Sequence, residues 1–200
     1  MRPSEAETLL IRALALPGAG SSDFDLNAGA PLPEGRVLRP AGVLVPVDLT
    51  GDRAMLILTK RSARLKHHPG QIAFPGGKQD PGDASVTDAA LRESEEEIGL
   101  PRGHVRLIGG LPDHETVTGF RMTPVVGLID RPFAERVEAG EVDEIFRVPL
   151  SHVVDPANFR VEGRRWQGRR RYYYAVPYGP YYIWGATARI LRALAERVTR

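Results

Sequence analysis

The stretch that decides the fold is residues 74–100, FPGGKQDPGDASVTDAALRESEEEIGL. Its second half reads as a helix from about 85 to 98, because Ser85 with Asp88 makes a capping box and Gly99 supplies the stop. Within that helix Glu93, Glu96 and Glu97 fall at i, i+3 and i+4, which stacks them on one face with Cβ atoms about 5–6 Å apart. Glu95 points elsewhere. Three adjacent carboxylates repel one another, and the negative end of the helix macrodipole makes their position worse. A divalent cation offsets that cost. Oxygen-only ligation in a chain without cysteine favours Mg²⁺ or Mn²⁺ over zinc. Arg92 adjoins the cluster and is placed to orient one carboxylate by a bidentate pair. Upstream, Gly76 and Gly77 let the backbone approach a metal or phosphate closely and offer a bare carbonyl as a ligand. A glutamate run alone is usually a solvated surface face; the glycine approach and the capped helix set this one apart.

Outward from this core, apolar β-branched runs at 41–48 and 54–60 read as strands joined in a hairpin by the turn Thr50-Gly51-Asp52. Residues 62–83 read as an ordered loop rich in Gly, Pro, His and Lys. Strand-like runs return at 104–110, 121–129 and around 144–149, and Arg160–Val161 with Tyr172–Val176 reads as a later hairpin turning at Gly168. At the N-terminus Ser4 and Glu7 predict a capping box, with a helix over about 5–15. The Gly- and Pro-rich stretch from Pro17 to Pro40 reads as a long surface connection. A last helix, about 185–199, carries Ile190, Leu191, Leu194 and Val198 on one stripe. Strands on both sides of one capped helix, with helices at each end, predict an α/β fold with a mixed sheet covered by helices.

Composition bounds the rest. Two hundred residues suffice for one domain with a sizeable core, and 42% hydrophobic with 26% charged residues is a globular profile. The apolar run of about 18 residues that a membrane span requires is absent. Residues 4–16 carry Glu5 and Glu7 in an amphipathic pattern, which is not that of a secretory signal. The absence of cysteine excludes a disulfide framework and a thiol nucleophile, and it suits a cytoplasmic protein. A net charge of +2 does not by itself predict a polyanion binder.

The central stretch resembles the signature of the Nudix hydrolases, G-x5-E-x7-R-E-U-x-E-E-x-G-U with U a bulky aliphatic residue. Arg92, Glu93, Glu96, Glu97, Gly99 and Leu100 fall in place. Ser94 stands at the first U, and Asp83 stands where a Glu is usual, with one additional residue between it and Arg92. That shift leaves Asp83 outside the candidate set. The resemblance implies a Nudix-type α/β/α sandwich over residues 37–200, preceded by an N-terminal helix and connecting loop over 1–36. It also implies metal-dependent pyrophosphate hydrolysis. Gly77, Glu93, Glu96 and Glu97 would be the metal ligands, and Arg92, Glu93 and Glu96 the catalytic residues. Glu93 or Glu96 is a candidate general base, as are Glu115, Glu141 and Glu144 outside the motif, and the sequence does not choose among them.

A second stretch, Ile57-Leu58-Thr59-Lys60-Arg61-Ser62 continuing to Lys66, Gly70 and Phe74-Pro75-Gly76-Gly77, is similar to L-L-T-x-R-[SA]-x3-R-x3-G-x3-F-P-G-G of the coenzyme A pyrophosphatase branch. Ile57 and Lys66 are the departures, and Lys66 lacks the bidentate fork of an arginine. The implied substrate is coenzyme A, with acyl and oxidised forms as further candidates, cleaved to 3′,5′-ADP and 4′-phosphopantetheine. The implied substrate-binding residues are Arg61, Ser62, Arg64, Lys66, Gly70, Phe74 and Gly76. His67 and His68 read as solvated loop residues, with a phosphate contact as the alternative. Rival readings are a Nudix enzyme for ADP-ribose or an oxidised nucleoside triphosphate, and a non-catalytic nucleotide- or RNA-binding module. Arg164, Arg165, Arg169, Arg170 and Arg171 lead into Tyr172-Tyr173-Tyr174. They admit a hairpin with a basic exposed face, recognition of the adenosine 3′-phosphate, or single-stranded RNA. The expected partner is a small-molecule pyrophosphate, not nucleic acid or a membrane, with the protein a monomer or homodimer.

Overall fold

The computed structural model describes residues 1–27, 35–166 and 168–200. Along the chain run α1 (Pro3–Ala15), β1 (Ser21–Ser22), β2 (Arg39–Asp48), β3 (Met55–Arg61), β4 (Ile72–Ala73), β5 (Gly76–Lys78) and α2 (Val86–Ile98). Then come β6 (Val105–Gly110), β7 (His114–Glu115), β8 (Phe120–Ile129), β9 (Val142–Pro149), α3 (Leu150–Val153), β10 (Arg160–Trp166), β11 (Arg169–Ala175) and α4 (Gly185–Val198).

Strand β2 is buried from Ala41 to Asp48, as expected of a run that is apolar on both faces. It pairs in parallel with β8 along its whole length, from Arg39↔Phe120 to Asp48↔Ile129. The expected hairpin with β3 forms only at the turn, through Val47↔Leu56 and Asp48↔Met55. Beyond that point the strands diverge. The short strand β5 fills the space beside Ala41–Val43, and β3 takes β9 as its main antiparallel partner. Pro46 fits a central strand because of this divergence. The Leu44 N–H donates to the Pro75 carbonyl, on the side away from β8. Pro46, two residues on, therefore lacks its N–H on that same side, where β5 has ended and β3 has not begun.

The alternation of side chains along the strands makes two cores. Val43, Val45, Val47, Leu56, Leu58, Val126 and Leu128 face one way, in a cluster with Leu10 of α1 and Ile190, Leu191 and Leu194 of α4. Leu44, Ile57, Val125 and Ile129 face the other way, against Ala90 and Ile98 of α2 and Leu100. The result is the expected mixed sheet between helices. Helix α1 shares the larger core, since Ala6 and Leu10 are fully buried within it.

Two details differ from expectation. The α1 cap is shifted: Pro3 takes the first helical turn, and the Arg2 N–H donates to the Glu5 carboxylate at 2.9 Å. Proline has no N–H to cap and its φ is set for the helix, so the helix starts before Ser4 rather than after it. The described part of the surface connection makes specific contacts. Ser21 and Ser22 pair in parallel with His114 and Glu115, Asn27 exchanges hydrogen bonds with the backbone of Tyr172, and Asp25 pairs with Arg189. Within that connection, residues 28–34 lie outside the described residues.

Candidate metal centre

Helix α2 carries the centre, and its ends are set locally. The Ser85 Oγ accepts from the Asp88 N–H at 3.1 Å, and Gly99 ends the helix at φ 73°. Its inner face is Ala89, Ala90, Ser94, Glu97 and Ile98. Ser94, where an aliphatic residue is usual, is fully buried, and its hydroxyl is satisfied by the Ala90 carbonyl at 2.6 Å.

The same face meets β2 at Gly42, where a Cβ would lie 1.8 Å from the Val86 carbonyl oxygen. It meets β5 at the paired glycines, each at a close approach. Gly76 adopts φ 146°, and a Cβ on it would strike the Gly42 oxygen at 2.4 Å. A Cβ on Gly77 would come within 2.5 Å of Glu93 Oε1. The glycines thus make room for β2 and for a carboxylate, beyond offering an open carbonyl. The Gly76 N–H donates to Glu97 Oε2 at 3.1 Å.

Glu93, Glu97 and Glu141 converge, each with a carboxylate oxygen within 4.8 Å of the others. Glu141 immediately precedes β9. The β3–β9 pairing sets Arg61 opposite Val142, and the Ser62 N–H donates to the Glu141 carbonyl. Of the three outlying candidates for a base, Glu115 pairs with Arg36 at 2.9 Å and Glu144 accepts from the Tyr181 hydroxyl, while Glu141 joins the cluster.

Glu96 lies apart from this group. Its carboxylate accepts from Arg92 Nη1 at 2.8 Å on the exposed side of the helix. Arg92 is the hub of the acidic face. Its Nε and Nη2 hold both oxygens of Asp83, at 2.9 and 3.1 Å, and Nη2 also pairs with Glu93 Oε1 at 3.0 Å. Asp83, set aside on sequence spacing, is therefore the residue that fixes Arg92. A turn absorbs the additional residue: the Asp83 N–H donates to the Asp80 carbonyl, and its carboxylate accepts from the Asp80 N–H. The sequence signal was an acid at the motif's Glu position, displaced by one.

Glu97 is only 4% exposed. Burial, with repulsion from Glu93 and Glu141, pushes its carboxyl up to about 8, against the opposing pull of the Gly76 N–H and Arg61. Burial also raises Glu93, with Arg92 opposing. Three oxygen donors, two of them held under protest against ionisation, suit a hard divalent cation. Between the ordinary carboxyl value of 4.5 and about 8, folded Glu97 keeps a proton that the unfolded chain has released. The metal-free protein accordingly loses a few kcal/mol of stability as pH rises through that window. Its urea midpoint is expected to fall from pH 5 to pH 8, with Mn²⁺ raising it most at pH 8. A midpoint that stays flat without metal across that window overturns this account of Glu97.

The other candidate residues fall in the stretch from the end of β3 to β5. Arg61 acts on Glu97 from the end of β3. Arg64 and Lys66 are exposed, and Gly70 takes φ 68°. Ser62 is fully buried, and its hydroxyl accepts from the Arg64 N–H. Phe74 is 3% exposed within the larger core. The C-terminal arginines form the expected hairpin, with Arg164↔Arg171 and Arg165↔Arg170 directly opposite each other. The Arg164 guanidinium lies 4.6 Å over the Trp184 ring. No helix among the described residues is long and apolar enough to cross a membrane.

The NUDIX domain profile matches residues 38–172. The chain is 42% identical over 160 residues to NudL of Citrobacter koseri, an uncharacterized Nudix hydrolase; the match covers 80% of this chain and 83% of that protein. It is 40% identical over 160 residues to NudL of Escherichia coli O1:K1, also an uncharacterized Nudix hydrolase, with the same coverage. Among solved structures, the MutT protein of Methanosarcina mazei Go1 superposes with a TM-score of 0.51 at 18% identity, covering 83% of this chain and 96% of that one. The last likeness is one of fold alone.

Proposed function

The chain belongs to the Nudix hydrolase family, and from that premise we propose that it hydrolyses the pyrophosphate bond of coenzyme A with Mg²⁺ or Mn²⁺. The observation that carries the reading is the convergence of Glu93, Glu97 and Glu141 beneath the Gly76-Gly77 turn. Glu93 and Glu97, with the Gly77 carbonyl, would hold the ion. When bound, it supplies Lewis-acid polarisation of a phosphoryl oxygen and eases deprotonation of water.

The chain's own groups do the rest. Glu141 is the exposed member of the trio and takes the proton of the attacking water. General-base help of this kind is worth about 10²–10⁴-fold. Arg92, clamped by Asp83, keeps Glu93 and Glu96 oriented, so Glu96 serves through Arg92. Arg61 neutralises a substrate phosphoryl oxygen beside Glu97. Arg64 and Lys66, exposed on the adjoining loop, meet the 3′-phosphate that distinguishes coenzyme A from most dinucleotides. Ser62, Gly70, Phe74 and Gly76 shape that loop from within.

Coenzyme A as the substrate rests on residues 57–77, which run from β3 directly into the centre. The test is a panel of coenzyme A, acetyl-coenzyme A, ADP-ribose and dNTPs, with Mg²⁺ or Mn²⁺ and products identified by mass. Release of 3′,5′-ADP and 4′-phosphopantetheine is expected. Coenzyme A left intact while ADP-ribose or a dNTP is cleaved would replace the substrate and keep the chemistry.

A further inference from the structure

Residues 130–141 join β8 to β9. Both strands run parallel to β2, β8 by direct pairing and β9 through its antiparallel partner β3. A connection between parallel strands needs a crossover of about a dozen residues or more, usually a helix. Residues 130–141 form no helix. They lean instead on the end of α2, the helix that carries Glu93 and Glu97.

The last carbonyls of a helix have no partner within it. Two of those of α2 are taken by the crossover. The Arg136 N–H donates to the Ile98 carbonyl and the Glu138 N–H to the Glu97 carbonyl, each at 3.1 Å. Gly99 lets the segment pass, because a Cβ there would lie 3.1 Å from the Ala134 carbonyl oxygen and 3.2 Å from the Arg136 nitrogen. Just upstream, Phe133 packs against the core that holds Ile98 and Leu100.

From that dock the chain reaches both the carboxylates and the substrate loop. The Glu138 carbonyl accepts from the N–H groups of Glu141 and Val142, each at 2.9 Å, closing a turn that brings Glu141 to Glu93 and Glu97. Glu138 thus bridges the main chain of Glu97 and that of Glu141. On the other side, the Glu141 carbonyl accepts from the Ser62 N–H at 2.8 Å, and Asp143 Oδ2 accepts from the Ala63 N–H at 2.9 Å. Arg64 and Lys66 follow directly on Ala63 in that loop.

We propose that residues 133–143 are a positioning element with two separable actions. Phe133 and the Glu138 backbone set the Glu141 carboxylate against the metal centre, and Asp143 sets the loop that carries Arg64 and Lys66. The proposal rests on the reading of Glu141 as the base and of that loop as the substrate's. Each of the three residues acts through another. The first action belongs to the chemical step and shows in kcat; the second belongs to binding and shows in KM.

The test is kinetics with Mn²⁺ in the full chain, on coenzyme A or whichever pyrophosphate the wild type cleaves. Proline removes the N–H that the Glu97 carbonyl accepts. Glu138→Pro is expected to lower kcat about 10–100-fold, the scale of a misplacement near 1 Å, with KM nearly unchanged. Phe133→Ala should do the same to a smaller degree, and Phe133→Leu should recover most of the loss. Asp143→Ala should raise KM about 5-fold, the effect of one lost hydrogen bond, with kcat nearly unchanged. Asp143→Asn keeps an acceptor and should recover most of the KM. Added to Glu141→Gln, Glu138→Pro should cost nothing further in kcat, because it acts through that carboxylate. Additive losses in that pair, or kcat and KM worsening together in every variant, overturn the inference. Hydrogen exchange tests the dock without activity. The Arg136 and Glu138 amides of the wild type should be protected as well as the end of α2, and free exchange at both overturns it. Should Glu138→Pro fail to fold, Phe133→Ala and the wild-type exchange decide. A wild-type kcat in Glu141→Gln would end the base reading and the kcat action with it, while the dock and the KM action of Asp143 stand or fall on their own measurements.

Discussion

Glu97→Gln is expected to abolish metal-dependent hydrolysis and, at pH 8 without metal, to leave a protein more stable than wild type. Both effects have one cause. Glu97 is almost completely buried, and its carboxyl titrates at about 8 because burial and two neighbouring carboxylates oppose its charge. The amide removes that buried charge while keeping an oxygen and an N–H₂ in the same space, so the fold gains where the metal loses. Loss of a principal ligand forfeits several kcal/mol of transition-state stabilisation, a fall of about 10³-fold or more in rate. The measurements are turnover with Mn²⁺, Mn²⁺ affinity, and the urea midpoint at pH 5 and pH 8. Near-normal turnover would remove Glu97 from the metal set. A midpoint that drops in the variant would mean that the buried carboxylate stabilises the fold after all. Glu141→Gln separates the roles, since it is expected to lower kcat by about 10²-fold or more while Mn²⁺ affinity falls far less. Equal losses in both quantities would make Glu141 a ligand rather than the base.

The second large effect is expected from a residue with no chemistry. Gly42→Ala places a methyl 1.8 Å from the Val86 carbonyl oxygen and 3.1 Å from the Ala90 nitrogen. Neither atom is the free end of a side chain, so relief requires α2 to lift from β2. Overpacking typically costs about 1–3 kcal/mol, and a clash with backbone belongs at or above the top of that range. A urea titration should show a lowered midpoint with little change in slope. Activity should fall as well, because Glu93 and Glu97 ride on the displaced helix. A loss under about 1 kcal/mol would mean that α2 is not seated on β2 by this close approach.

The contrast between these two positions shows where the sequence stops being legible. Helix α2 was readable residue by residue, because Ser85, Gly99 and the glutamate spacing are statements about hydrogen bonds and side chains within one turn of each other. The strands of both cores were readable from their apolar runs, and so was the C-terminal hairpin with Gly168 at its turn. The α1 cap was misplaced by the competing demand of Pro3. The role of Gly76 and Gly77 was visible only in part, since their close neighbours, Gly42 and Glu93, come from other elements.

By itself the sequence determined the acidic helix, its caps, the glycine approach and the family to which they belong, because each is encoded at short range by periodicity and spacing. Only the tertiary structure decided which carboxylates meet. Glu96, one turn from Glu93 and adjacent to Glu97, is drawn aside by Arg92, whereas Glu141, distant in sequence, arrives because β9 pairs with β3. It likewise decided that Asp83, out of step by one residue, still closes on Arg92, since a turn at Asp80 absorbs the difference. The physical reason is the same in each case. Spacing along a helix is set by its own backbone, but the approach of distant segments is set by strand register and by where the packing leaves room.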